Sequence, residues 1–301
     1  MTLHAGLHVP LVTPFAADGT LDAEALAALE RLAHDVLDEG AAGLLALGTT
    51  AEAATLDRAE RAAVLAVLAR VAGERGVPLT VGAGGGDTAA SRTALAALAD
   101  LPEAVAALVP VPSFTRPGEA GVLAHFAALA ATSPVPLLVY HIPYRTGQEL
   151  SAATLREIGA LPGVAGVKYA AGGVTEDTVA LLGARPAGFA VLAGDDVYAS
   201  ALLALGAEGA VLASAHLATR AYAGLAAAWH AGEAHRARPL GHRLSRLSAS
   251  LFAAPSPTVL KAVLHARGRI PSPAVRLPLL AAPGTAVRTA LARLAEVEAD
   301  A

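Results

Sequence analysis

Residues 136–169 read PLLVYHIPYRTGQELSAATLREIGALPGVAGVKY. The run 136–142 is short and mostly apolar, as a parallel strand must be when it is covered on both faces. Pro143 and Gly147 interrupt it, and Ser151 then opens a segment, 151–159, with helical spacing of its apolar residues. After Pro162-Gly163 a second strand-like run, 166–169, ends on Val167-Lys168-Tyr169. A strand, a helix and a further strand in so short a stretch make a βαβ unit.

The same alternation extends outward in both directions. Strands are expected over 7–15, 43–47, 79–83, 105–111, 136–142, 166–169, 189–193 and 209–213. Asp22 can cap a helix that runs to Glu39 and stops at Gly40. Asp57 with Glu60 three residues on has the form of a capping box, opening a helix that runs towards Gly76. Further helical patterns cover 88–98, 118–131, 151–159, 175–182 and 197–205. Eight β-then-α units in series point to a closed α/β barrel, the (β/α)₈ or TIM barrel, rather than to a doubly wound sheet. Beyond the eighth strand the pattern turns to helices alone, at 219–231, 233–252, 258–265 and 285–297. The expected organisation is a catalytic barrel over 1–217 and a C-terminal helical extension over 218–301 packed against it.

Composition bounds the function. The 301 residues suit a barrel of about 250 residues with an appendage. Hydrophobic residues make up 54% and charged residues 16%, enough apolar surface for a large core. No apolar run approaches the roughly 18 residues of a membrane span. Met1-Thr2-Leu3-His4 lacks the basic region of an export signal, so a cytoplasmic protein without a membrane partner is expected. The absence of cysteine excludes disulfides, thiolate catalysis and thiolate metal sites. A net charge of −4 supplies no basic field for nucleic acid. Only two basic residues are lysines, Lys168 and Lys261, so covalent amine chemistry has two side-chain candidates.

Side chains at the C-terminal ends of barrel strands face the active site. Strand two ends in Leu47-Gly48-Thr49-Thr50-Ala51-Glu52, strand five in Tyr140-His141-Ile142-Pro143-Tyr144-Arg145-Thr146-Gly147, and strand six in Lys168-Tyr169. One lysine, a tyrosine and two threonines therefore converge on one mouth. An amine attacks a ketone only when unprotonated, and desolvation inside a barrel favours that form. The resulting iminium acidifies the adjacent carbon. Its formation needs a proton shuttle, which a tyrosine hydroxyl relayed through a threonine can provide. Taken singly these residues have plainer readings. Lys168 is equally an ion-pair lysine, Tyr140 a core residue, and Thr49-Thr50 a turn. Gly84-Gly85-Gly86 lacks the Lys-Ser/Thr of a phosphate loop and reads as a tight turn. It is the convergence that carries the catalytic reading.

Together these stretches resemble the dihydrodipicolinate synthase/N-acetylneuraminate lyase family of pyruvate-dependent class I aldolases. The likeness is collinear from Val12-Thr13-Pro14-Phe15 to Arg276-Leu277-Pro278. It takes in Gly48-Thr49-Thr50-Ala51-Glu52, Tyr140 with Pro143 and Arg145-Thr146-Gly147, Gly166-Val167-Lys168, Gly194-Asp195-Asp196, and Ser256-Pro257 with Lys261. The resemblance implies a lyase in which Lys168 forms a Schiff base with pyruvate or a related 2-oxo acid. By the same likeness Tyr140 is the proton shuttle and Thr49 belongs to its relay. Thr50, with the backbone of Thr49 and Ala51, holds the pyruvyl carboxylate. Gly194 and Val211 line the pocket, and Arg145 binds the carboxylate of a second substrate, an aldehyde or sugar acid. No cofactor and no metal are implied, and relatives are commonly homotetramers.

The chain also departs from the family pattern. Pro112-Ser113-Phe114-Thr115-Arg116-Pro117 replaces a stretch with paired tyrosines, so Phe114 has no hydroxyl where relatives place one at the substrate site across a subunit boundary. Ala171 stands where a small hydroxyl residue is frequent. Arg58 and Ala90 replace the histidine and glutamate of lysine-feedback sites, so no inhibition by lysine is expected. Other readings stay open. A 2-keto-3-deoxy sugar-acid or 4-hydroxy-2-oxo-acid aldolase or dehydratase shares the iminium step. A metal-dependent aldolase or hydrolase would use Glu52, His141, Asp195, Asp196 and His216. A catalytically impaired barrel would only bind the 2-oxo acid. Lys261 is expected to tie the helical extension to the barrel.

Overall fold

The strand–helix alternation closes on itself. The computed structural model describes residues 5–299, so the Met1–His4 tetrapeptide, on which the export reading rests, lies outside them. The parallel strands β1 (Gly6–Pro10), β2 (Gly43–Ala46), β3 (Leu79–Gly82), β4 (Ala104–Pro110), β5 (Leu137–His141), β6 (Val164–Tyr169), β7 (Ala190–Ala193) and β8 (Gly209–Val211) pair in sequence order. β8 returns to β1 with Gly6 opposite Gly209, which closes the barrel. Around it run α1 (Ala23–Asp38), α2 (Arg58–Arg75), α3 (Thr88–Ala96), α4 (Gly118–Ala130), a four-residue α5 (Pro143–Thr146), α6 (Ala152–Gly159), α7 (Glu176–Gly183) and α8 (Ala199–Ala204). α9 (Ala215–His230), α10 (Ala234–Leu251), α11 (Thr258–Ala266) and α12 (Gly284–Glu298) complete the chain.

Local chemistry accounts for the helix ends. The Asp22 carboxylate accepts from Ala25 N at 2.8 Å, and the Asp57–Glu60 box is reciprocal, at 2.8 and 3.0 Å. Gly76, at φ +63°, ends α2 in the left-handed conformation that a glycine takes without strain. Ser151 and Thr175 cap α6 and α7 in the same way.

Two apolar layers follow from strand parity. Leu137, Val139, Val167, Tyr169, Val191 and Ala193 pack outward against the helices. Their alternates Leu138, Tyr140, Ala170, Leu192 and Val211 form a separate cluster inside the barrel, with Leu45, Ala106 and Leu108. Full burial of each such Leu or Val contributes about 1.5–3 kcal/mol.

Three expectations are modified. The first strand ends at Pro10, not at 15, because Val12 N turns to the His216 ring (3.1 Å) and the Thr13 hydroxyl to Ala51 O (2.8 Å). α9 begins at Ala215, ahead of 219, and breaks its helical geometry at Ala218, beside the divide expected between barrel and extension. α5 was not foreseen. It is one turn long, with Pro143 at its start, and it holds Tyr144 and Arg145 at the end of β5.

Candidate active site

Tyr140 and Lys168 are direct neighbours across β5 and β6, and their shared parity points both into the barrel. Lys168 Nζ lies 4.4 Å from the Tyr140 ring centroid. Lys168 is only 6% exposed, and burial pulls its ammonium down to about 8 against the opposing field of Asp196. At pH 7 about one such amine in ten is free, against about one in three thousand for a solvated lysine. Burial pushes the Tyr140 phenol up to about 12, opposed by the Arg145 cation and the Thr49 hydroxyl. Tyr140 is therefore a neutral phenol at neutral pH.

Gly194, just past β7, makes room for the lysine. A Cβ there would lie 2.6 Å from Lys168 Cγ, closer than a real Cβ approaches, and 3.1 Å from its Cε. The backbone of Gly194 is pinned by its N–H to Tyr169 O at 2.8 Å. Val211 closes the same interior from β8. Asp196 is buried and accepts from Ser214 N at 2.6 Å, joining the loops after β7 and β8. Its desolvated carboxyl is raised to about 6. Its charge also acts on Lys168, favouring the ammonium against the effect of burial. The only sequence signal for that influence is an acidic pair after the seventh strand.

The turn after β2 is fixed from several sides. Thr49–Ala51 form a single 3₁₀ turn between two non-glycine residues of positive φ, Leu47 and Glu52, both at +53°. Such backbone is rare and clusters at functional sites. Gly82 permits it, since a Cβ there would lie 2.2 Å from Leu47 O. Thr50 and Ala51 are buried, while Thr49 is exposed and its hydroxyl pairs with Tyr140. Glu52 then turns inward. Its Oε1 meets Lys261 Nζ at 2.8 Å and its Oε2 accepts from Arg276 N at 2.9 Å. Lys261 and Arg276 both lie over the Phe15 ring, at 4.1 and 4.3 Å. Lys261 thus ties the helical extension to the barrel, as its sequence context indicated.

Other candidates sit at the rim. Arg145 is exposed, and its Nε donates to the Tyr144 hydroxyl at 3.2 Å. The structure does not bring Phe114 to Lys168 within this chain: its ring is 96% exposed on backbone held at φ +69°. Arg116, at φ +47°, lines a cavity of about 720 Å3 with Tyr144, Gly147, Gln148 and Ala171. The residues of the metal reading do not converge. Glu52 is engaged with Lys261 and Arg276, and both His216 ring nitrogens are used, by Val12 N and Ala213 O. His141 has outward parity and packs on Tyr169 with ring centroids 5.4 Å apart. Among the described residues no three acidic or histidine side chains are grouped as a metal requires.

With this geometry in view, comparison with known proteins is direct. The profile of the Dihydrodipicolinate synthetase family matches residues 3–296. The 4-hydroxy-tetrahydrodipicolinate synthase of Sphingopyxis alaskensis is 38% identical over 278 residues, covering 91% of this chain and 92% of that protein. The enzyme of the same name from Moorella thermoacetica is 35% identical over 272 residues, 90% and 91% of the two chains. The chloride-inhibited dihydrodipicolinate synthase of Acinetobacter baumannii, solved with pyruvate, superposes with a TM-score of 0.90 at 32% identity, over 97% of this chain and 99% of that one. No described helix is long and apolar enough to cross a membrane. The chain belongs to the dihydrodipicolinate synthetase family, whose members are Schiff-base lyases built on a (β/α)₈ barrel.

Proposed function

We propose that this protein condenses pyruvate, held as a Schiff base on Lys168, with a carboxylate-bearing aldehyde, as a 4-hydroxy-tetrahydrodipicolinate synthase does. The observation that carries the reading is the desolvated amine of Lys168 lying against the Tyr140 ring. The free amine adds to the ketone, and the carbinolamine loses water to give an iminium. Loss of a methyl proton leaves an enamine, which attacks the aldehyde carbon. Hydrolysis then frees the lysine. Tyr140 moves protons to and from the carbinolamine oxygen, and Thr49 orients that phenol. Thr50 and the backbone of Thr49 and Ala51 hold the pyruvyl carboxylate, and Gly194 and Val211 shape the pocket around it. Arg145 receives the carboxylate of the second substrate, for which a planar guanidinium supplies two parallel donors.

The working form is a homo-oligomer. In this reading Phe114, 96% exposed on the loop after β4, belongs to the face that a second copy covers. There it contributes packing and no proton transfer.

Treatment with pyruvate and borohydride, followed by mass spectrometry, should add one reduced pyruvyl group to Lys168 and none to Lys261. No adduct with any 2-oxo acid refutes the mechanism. Turnover with pyruvate and aspartate semialdehyde, set against cleavage of a panel of 2-keto-3-deoxy acids, distinguishes the synthase from a retro-aldolase or dehydratase of the same family.

A further inference from the structure

Tyr144 occupies an unusual place for a large aromatic residue. It is the second residue of the one-turn helix α5 and is 64% exposed, although it borders the mouth of a buried site. Its ring stands 5.4 Å from the Arg145 guanidinium carbon, and its hydroxyl accepts from Arg145 Nε. The two are consecutive in sequence, so this contact depends on the tight backbone of α5. The turn is closed by Gly147 N to Pro143 O at 2.7 Å and by Thr146 N to Ile142 O at 3.1 Å. Neither Arg145 nor Arg116 makes an ion pair among the described residues. Arg116 lines the same cavity as Tyr144, together with Glu149, and the exposed Arg145 stands next to it in sequence.

A guanidinium offers a carboxylate two bidentate edges, one using Nε with one Nη, the other using both Nη groups. With Nε occupied by the phenol oxygen, only the second edge is open. The phenol, having accepted, still has its own O–H to donate.

We propose that Tyr144 is a positioning residue for the second substrate. It locks Arg145 so that a carboxylate binds through the two Nη groups, and it adds a third donor beside them. This deepens the synthase reading by naming what presents the arginine. The ligand class that fits is a short-chain aldehyde with a terminal carboxylate, and neutral or polyhydroxylated aldehydes gain nothing from the array.

The test is Tyr144→Phe, which keeps the ring and removes only the hydroxyl. With aspartate semialdehyde as the varied substrate its KM rises by at least about tenfold, the loss of one hydrogen bond to a charged group, while kcat and the KM for pyruvate change less than twofold. In an Arg145→Lys background the same substitution has little further effect, since the hydroxyl acts through the guanidinium. Equal aspartate semialdehyde KM values for Tyr144→Phe and the parent protein, or effects that simply add in the double variant, overturn the proposal. Calorimetric titration with succinate gives a readout independent of turnover. Succinate should bind the parent protein and bind Tyr144→Phe severalfold more weakly, and equal binding, or none to the parent, overturns the proposal as well. Failure of borohydride to trap pyruvate on Lys168 refutes the synthase reading instead, and the succinate comparison still decides the role of Tyr144.

Discussion

Replacing Lys261 by methionine tests how the helical extension serves the barrel. The Lys261 and Glu52 side chains are 0% and 2% exposed and meet at 2.8 Å. Methionine keeps most of the apolar stem over Phe15 but leaves the Glu52 carboxylate buried without its cation. Breaking a buried pair from one side costs about 3–5 kcal/mol. In a chain of this size each kcal/mol corresponds to roughly 2 °C, so thermal unfolding should begin about 6–10 °C lower. The loss reaches the site because Glu52, itself in left-handed backbone, directly follows the 49–51 turn and anchors its end. Freeing that turn should raise the KM for pyruvate about tenfold, equivalent to about 1.4 kcal/mol of carboxylate binding. The double variant Glu52→Gln/Lys261→Met removes both charges while leaving an amide oxygen for Arg276 N, and it should recover most of the stability. Differential scanning calorimetry and initial rates on the three proteins give the answer. A Lys261→Met protein that melts within about 1 °C of the parent and binds pyruvate normally would refute the reasoning.

Further outcomes follow from the same geometry. Because burial lowers Lys168 to about 8, the rate of pyruvate trapping should climb roughly tenfold per pH unit up to that value and then level. A rate still climbing at pH 10 would indicate a solvated lysine. In Gly194→Ala the new methyl meets Lys168 Cγ at 2.6 Å, so kcat should fall about a hundredfold with the fold retained, as circular dichroism can verify. With Arg58 and Ala90 in place of a histidine and a glutamate, millimolar L-lysine should leave initial rates unchanged, and a steep fall in rate would contradict this.

Much of this was legible from local chemistry. The caps at Asp22 and Asp57 and the stops at Gly40 and Gly76 depend on residues within a turn of one another. The position of Tyr140 and Lys168 at the ends of strands five and six was legible too, whereas their direct pairing and the outward parity of His141, one residue away, came with the register of β5 and β6. The early end of β1 was hidden because the groups that draw Val12 and Thr13 off the ladder, His216 and Ala51, lie far away in the chain. α5 was missed because one turn is too short to show a period.

The order of elements, the closed barrel and the candidate amine were determined by sequence alone, since hydrophobic period, capping and alternation are short-range properties. Tertiary structure alone decided that Glu52 meets a lysine 209 residues away, that Asp196 lies close enough to act on Lys168, and that Phe114 stands clear of the site. Those outcomes rest on burial and on distances of a few ångströms between remote segments. Charge–charge and hydrogen-bond energies become large only after packing has excluded water.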